Sequence, residues 1–251
     1  AMRDGLVGSE MCIRDRATTY RLNTNMSTRK YKSQIGTIPK IVNNFKPITD
    51  NQKLFYNKIS DFNNQLILCH GIAGTGKTYV SIYKALQDVL RRGLPYDKII
   101  IINPTVDVGN EDKLGYLPGE LQQKIQQYNE STFTILNKII GKSRANKMIS
   151  DGKIEIGVLN FLRGTNLENC YVILDEAQNV SPMQIKTLMT RISENCKMII
   201  QGDLSQCDKY KTNGITAYEK SGFYDVWFRL KGVEGIEPVS YTHLTLPTTS
   251  S

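Results

Sequence analysis

Gln65-Leu-Ile-Leu-Cys69-His70-Gly71-Ile72-Ala73-Gly74-Thr75-Gly76-Lys77-Thr78 is the stretch that decides the fold of this 251-residue chain. Residues 65–69 are a short apolar run that breaks at once into a glycine-rich turn, the pattern of a buried strand ending at a loop. From Lys77 to Arg92 the apolar residues Val80, Ile82, Ala85, Leu86 and Leu90 recur at helical spacing, and Gly93 closes the segment. Between strand and helix, residues 71–78 fit G-x-x-x-x-G-K-[ST]. Gly71, Gly74 and Gly76 let the backbone N–H groups of Ile72, Ala73 and Thr75 wrap a phosphate without Cβ clashes, at the positive end of the following helix. Lys77 is expected to set its ammonium on the β and γ phosphates of a nucleotide, and the Thr78 hydroxyl to ligate Mg²⁺.

Outward from this loop the chain alternates strands and helices. Thr49-Asp-Asn-Gln52 has a capping-box pattern and opens a helix to about Phe62. Lys98–Ile102 (KIIII) is too apolar for solvent on either face, as a parallel sheet requires. Residues 104–150 hold a Gly/Pro-containing loop and two or three helices. Further strands are expected at Lys153–Val158, Tyr171–Leu174 and Lys197–Gln201. Between the last two, Ser181-Pro-Met-Gln184 starts a helix with a capping Ser and Pro in the first turn. This alternation predicts an α/β domain with a parallel sheet flanked by helices.

Two more signals stand at strand ends. Tyr171-Val-Ile-Leu-Asp175-Glu176 is an apolar strand finishing in two acids. Asp175 can hold the Mg²⁺ water shell, and Glu176 beyond it can orient and deprotonate an attacking water. A small-molecule kinase would not need the second acid, because its acceptor is a substrate hydroxyl. Gln201-Gly-Asp-Leu-Ser-Gln206 ends another apolar strand; in isolation it reads as a turn punctuated by Gly202 and Asp203, but Gln206 could hydrogen-bond a γ-phosphate and report its presence or loss. Three polar signals at the carboxyl ends of three strands converge where ligands of open α/β sheets bind.

The composition fits this picture. A 40% apolar and 22% charged chain is neither disordered nor fibrous, and no apolar run approaches the length of a membrane span. Five scattered cysteines and two histidines build no zinc motif; Cys69, Cys170 and Cys196 read as strand packing. His70, next to Gly71, lacks the partners of an acid–base residue. Residues 1–16 and 239–251 differ in character from the rest and are expected to be translated read-through. Residues 17–46 read as a flexible basic arm and 47–238 as the domain, which would then stop short of a last strand and helix. The net charge of +8 belongs to residues 17–238, since the first segment balances three basic against three acidic residues and the last has none.

The chain at these residues resembles the PhoH-like ATPases of bacteria and phages, single-core relatives of superfamily-one helicases. The resemblance rests on Gly71–Thr78, on Leu174-Asp175-Glu176-Ala177-Gln178-Asn179, and on Gly202-Asp203-x-x-Gln206-x-Asp208, in that order. Gly115-Tyr-Leu-Pro-Gly119, Arg163-Gly164 and Thr190-Arg-Ile192 add to it. It implies a P-loop NTPase (RecA-like) fold, with ATP and Mg²⁺ as cofactors. Gln52 would read the adenine edge, Lys77 and Thr78 the phosphates and metal, Asp175 the metal, Glu176 the water and Gln206 the γ-phosphate. Arg163 and Arg191 are candidates for phosphate or subunit-interface contacts. One departure is Asn103-Pro104, where the family is expected to have Arg-Pro.

The partner is read from charge. A surplus of +8 with a basic arm, Arg29 to Lys46, suits RNA or single-stranded DNA. One motor core cannot translocate alone in the two-core manner, so a homo-oligomer is expected, in the cytoplasm (the host's, for a phage protein). The alternative is a nucleotide-dependent binding switch with little turnover and no strand separation.

Overall fold

The structure, a computed structural model, describes residues 44–104, 129–157, 167–192, 195–206, 221–230 and 236–241. The basic arm up to residue 43, the loop with Gly115–Gly119, Arg163, Gly164, Cys207 and Asp208 lie outside the described residues.

Among the described residues six strands make one sheet: β1 (Leu66–Gly71), β2 (Lys98–Ile102), β3 (Ile154–Gly157), β4 (Cys170–Leu174), β5 (Lys197–Gly202) and β6 (Ile236–Tyr241). Their spatial order is β3-β2-β4-β5-β1-β6, and every pair is parallel. The helices are α1 (Asp50–Ser60), α2 (Lys77–Val89), α3 (Glu130–Ile140), α4 (Lys142–Ser150), α5 (Pro182–Met189) and α6 (Gly222–Leu230). This is the helix-flanked parallel sheet of the P-loop, RecA-like class expected from the sequence.

Strand alternation explains the layers. In β2, Ile99 and Ile101 join one core cluster, while Ile100 and Ile102 join the other. The first cluster contains α1, α2, α3 and α4 residues such as Phe55, Leu86, Leu136 and Met148; the second contains Ile185 and Leu188 of α5 with Phe223 and Trp227 of α6. Apolar side chains on both strand faces are therefore buried by helices on both sides, which is why the strands read as unbroken apolar runs.

Local sequence signals end where predicted, with small shifts. Ser181 accepts from Gln184 N and its own N–H donates to Gln184 Oε1, the complete capping box of α5. Thr49 caps α1 by accepting from Gln52 N at 3.2 Å, but Gln52 Oε1 accepts from Ile48 N instead of closing a box on Thr49. Helix α2 ends at Val89, three residues before Arg92, because Asp88, Leu90 and Arg91 tighten into a last turn ahead of Gly93 at φ +84°.

The expected domain boundary at residue 238 falls inside a strand: β6 runs from Ile236 to Tyr241 alongside β1, with Leu66 opposite Ile236 and Gly71 opposite Tyr241. Val239 is 1% exposed in the core, and Pro238 is tolerated because among the described residues β6 is an edge strand with no outer neighbour to donate to. The composition shift at residue 239 hid an apolar pair, Ile236 and Val239, spaced to dock on that edge.

Between α1, α2 and the sheet lies a polar knot. Lys84 Nζ donates to Asp88 Oδ1 at 2.5 Å, the Tyr171 hydroxyl donates to Asp88 Oδ2, and the Tyr56 hydroxyl donates to Gln87 Oε1 at 2.7 Å. Lys197, 1% exposed, donates to the carbonyls of Ile59 at 2.6 Å and Asp61 at 2.8 Å and lies over the Phe62 ring. It thereby satisfies carbonyls at the carboxyl end of α1 that the helix leaves without a partner.

Candidate functional site

The carboxyl ends of β4, β5 and β1 are neighbours in that order, with β5 between the other two. Leu174 pairs with Ile200 and His70 with Gly202, so the residues that follow each strand meet on one crest. Sequence-distant groups are thereby brought within hydrogen-bond reach.

On the β1 side the glycine loop turns through φ +79° at Gly74 and φ +86° at Gly76, conformations that favour glycine. Space around Gly74 is open, whereas a Cβ on Gly76 would approach Gln52 Nε2 to 3.1 Å. Gln52 Nε2 donates to the Thr75 carbonyl at 3.1 Å, so α1 braces the loop. Lys77 is 8% exposed, and its ammonium donates to the carbonyls of Gly71 at 2.6 Å and Ile72 at 2.9 Å. Gly76 supplies no side-chain cap to α2, so the first N–H groups of that helix remain for an anionic ligand.

On the β4 side, Thr78 Oγ1 donates to Asp175 Oδ2 at 2.8 Å. Gln201, from β5, donates to Asp175 Oδ1 at 2.9 Å and to Thr78 Oγ1 at 3.1 Å. Glu176 follows in the left-handed region at φ +49°, a strained backbone for a non-glycine residue. Burial, and then the charge of Asp175, push its carboxyl pKa above the ordinary range. Gln178 donates to Glu176 Oε2 at 2.6 Å and accepts from Asp203 N at 3.0 Å. Asp203 in turn accepts from Ala73 N of the glycine loop at 3.1 Å and from Ser205 N at 2.9 Å.

Gln52, Gly71, Ile72, Ala73, Gly74, Thr75, Gly76, Lys77, Thr78, Asp175 and Glu176 thus share one crest. Gln206 does not join the network: it is exposed at the end of the 204–206 turn, and its side chain makes no hydrogen bond to the described residues. Arg191 stands between α5 and β5, beside the parallel Leu167–Ile192 bridge that precedes the amino ends of β4 and β5, and so away from the crest at their carboxyl ends. His70 is half-buried; its Nδ1 accepts from Leu204 N at 3.4 Å, and burial pushes its imidazole pKa down. Its ring meets Trp227 edge-on at 5.6 Å.

Sequence reasoning missed four polar residues of the network: Ser81, Gln178, Gln201 and Asp203. In isolation Asp203 reads as turn punctuation beside Gly202. Gln201 carried a usable signal, a glutamine at the end of the otherwise apolar β5, where burial demands a partner.

The crest suits a hydrated divalent cation with phosphate oxygens. Magnesium takes hard oxygen ligands and usually keeps several waters, needing only one or two protein groups. The Thr78 hydroxyl and Asp175 carboxylate form such a pair, with a buried ammonium and the amino end of α2, which Gly76 leaves without a side-chain cap, alongside. Among the described residues no group of three or more His, Cys, Asp or Glu gathers around a common point. None of the described helices is long and apolar enough to cross a membrane.

A family profile described as PhoH-like protein matches residues 44–245. The chain is 40% identical over 176 residues to a PhoH-like protein of Bacillus subtilis (strain 168), covering 70% of this chain and 52% of that protein. To Protein PhoH of Escherichia coli (strain K12) it is 38% identical over 146 residues, covering 57% of this chain and 40% of that protein. Among solved structures, the helicase domain of Pyrococcus furiosus Hef aligns with 75% of this chain and 37% of its own at 13% identity, with a TM-score of 0.40. The chain spans about half the length of the curated relatives it matches.

Proposed function

This chain belongs to the PhoH-like family, and on that premise we propose that it is a Mg²⁺-dependent ATP-binding protein and ATPase, coupled to RNA or single-stranded nucleic acid in a helicase-like manner. The observation that carries the reading is the hydrogen-bonded crest on which Lys77, Thr78, Asp175 and Glu176 meet.

In this reading the Lys77 ammonium leaves the Gly71 and Ile72 carbonyls for phosphate oxygens, while loop N–H groups hold the same phosphates. Thr78 and Asp175 would hold Mg²⁺, which when bound neutralises charge on the phosphate oxygens. Glu176 accepts the proton of the attacking water. Its raised pKa brings it closer to working pH and so makes it a stronger base. Gln52 has one N–H and one acceptor lone pair beyond its bonds to Thr75 and Ile48, the complement an adenine edge requires. Gln206, exposed at the end of the 204–206 turn, would report the γ-phosphate. A surplus of +8 supports an anionic partner, and a homo-oligomer would supply the second surface that a single core lacks.

The test is ATP hydrolysis with and without single-stranded RNA or DNA at low salt, in wild type, Lys77→Ala and Glu176→Gln. Nucleic-acid-stimulated turnover lost in both variants is expected. Tight ATP binding with negligible turnover under every condition would instead favour the nucleotide-dependent binding switch.

A further inference from the structure

Gln201 is 0% exposed at the end of β5, the middle strand of the three that build the crest. A buried primary amide must satisfy two N–H donors and a carbonyl oxygen. All three are engaged: Nε2 donates to Asp175 Oδ1 at 2.9 Å and Thr78 Oγ1 at 3.1 Å, and Oε1 accepts from Ser81 Oγ at 2.6 Å. The orientation is dictated by chemistry, because an ionised carboxylate only accepts and so must face the NH₂ end. Ser81, one helical turn after Lys77, holds the other end and can also bond the Lys77 carbonyl at 3.0 Å.

Both amide N–H groups therefore go to the two oxygens that the ATPase reading assigns to Mg²⁺. Those oxygens come from different elements, Thr78 from α2 and Asp175 from the end of β4, 97 positions apart. Only a residue on the intervening strand can tie them together from behind. The Thr78 hydroxyl donates its single proton to Asp175 Oδ2 and accepts from Gln201, which leaves it one lone pair for a ligand. Groups that orient the ligands of a metal commonly set its affinity without touching it.

We propose that Gln201 is the positioning residue of the cation site: it holds the Asp175 carboxylate and Thr78 hydroxyl as a preset oxygen pair, so that divalent-cation affinity depends on it and metal-free nucleotide affinity does not. The proposal rests on the ATPase reading above.

Two titrations on the full chain test it: Mn²⁺ binding in the presence of ADP, followed by electron paramagnetic resonance, and ADP binding in EDTA, followed by calorimetry. Gln201→Met, an apolar side chain of similar reach, is expected to weaken Mn²⁺ binding about 10- to 100-fold with ADP affinity in EDTA unchanged. Ser81→Ala keeps the amide but removes its anchor and is expected to weaken Mn²⁺ binding less, again without loss of ADP in EDTA. Should Gln201→Met not fold, Ser81→Ala carries the decision. Wild-type Mn²⁺ affinity in both variants, or a parallel loss of Mn²⁺ and metal-free ADP, overturns the proposal alone. Wild-type protein that binds neither ADP nor Mn²⁺ overturns the ATPase reading and this proposal with it.

Discussion

Two buried polar clusters share this molecule, and they are built to opposite ends. The crest joins Lys77, Thr78, Asp175, Glu176, Gln178, Gln201 and Asp203 on loops and strand ends. The knot under α1 and α2 joins Lys84, Asp88, Tyr171 and Lys197 within regular elements. In the knot every charged group is walled in: Asp88 and Lys197 are each 1% exposed, and Tyr171 is 0% exposed. On the crest, by contrast, Asp175 and Glu176 are only partly buried, Glu176 takes a strained backbone, and Lys77 rests on carbonyls of its own loop. A closed network satisfied by the fold holds elements together. An open one, with strained backbone and a cation that has no carboxylate partner among the described residues, is set up to receive something.

The sharpest division between the two is expected from Glu176→Gln. It should lower ATP turnover by about 10²- to 10⁴-fold, the usual contribution of a general base, without loss of stability. The sign follows from the raised folded pKa: the stability this carboxyl contributes is present below its unfolded pKa and lost as pH rises through its folded one. At neutral pH an uncharged Gln is therefore no worse for the fold. Turnover in wild type should fall as the medium is acidified, with its midpoint above the ordinary glutamate range. A drop in chemical-denaturation stability comparable to the loss of turnover would break the comparison.

Asp88→Leu makes the converse test. It leaves the Lys84 ammonium buried without its counter-charge and removes the acceptor of the Tyr171 hydroxyl. The expected cost is about 3–5 kcal/mol in urea unfolding.

Lys197 gives a subtler effect. Burial pushes its pKa down to about 7 from 10.5, with Lys84 lowering it further and Asp88 and Asp61 opposing. A neutral amine still has two N–H groups for the Ile59 and Asp61 carbonyls. The unfolded chain binds this proton more tightly, so stability should rise with pH between about 7 and 10.5. Urea midpoints across that range should lose this component of the rise in Lys197→Met.

The smallest change is expected at Lys98→Met, which breaks a 2.7 Å pair with Glu155 whose side chains are 36% and 45% exposed. Loss of about 0.2–1 kcal/mol, reduced further by salt, would confirm that neither cluster depends on surface charge.

Much of the crest could be read from the chain before any coordinates. The glycine loop is eight consecutive residues whose spacing is itself the chemistry, and Asp175-Glu176 follows an apolar run that could only be a strand. The same holds for α5, where Ser181, Pro182 and Gln184 act within one turn. Gln206 was as legible as Asp175 in sequence, yet it stands exposed, because a three-residue turn after β5 directs it and no pattern in the chain reports that direction. The knot was invisible: Lys84 and Asp88 stand four positions apart on α2, and nothing local says that α1 covers them.

Sequence by itself determined five of the six described strands, most of the helices and the phosphate loop, since these depend on residues a few positions apart and on period-2 or period-3.6 burial. Only the tertiary structure decided which polar groups complete the site. Thr78 meets Asp175 across 97 positions, Ser81 meets Gln201 across 120, and Ala73 meets Asp203 across 130. Those pairings exist because β5 packs between β4 and β1, a strand order fixed by which apolar faces the helices bury.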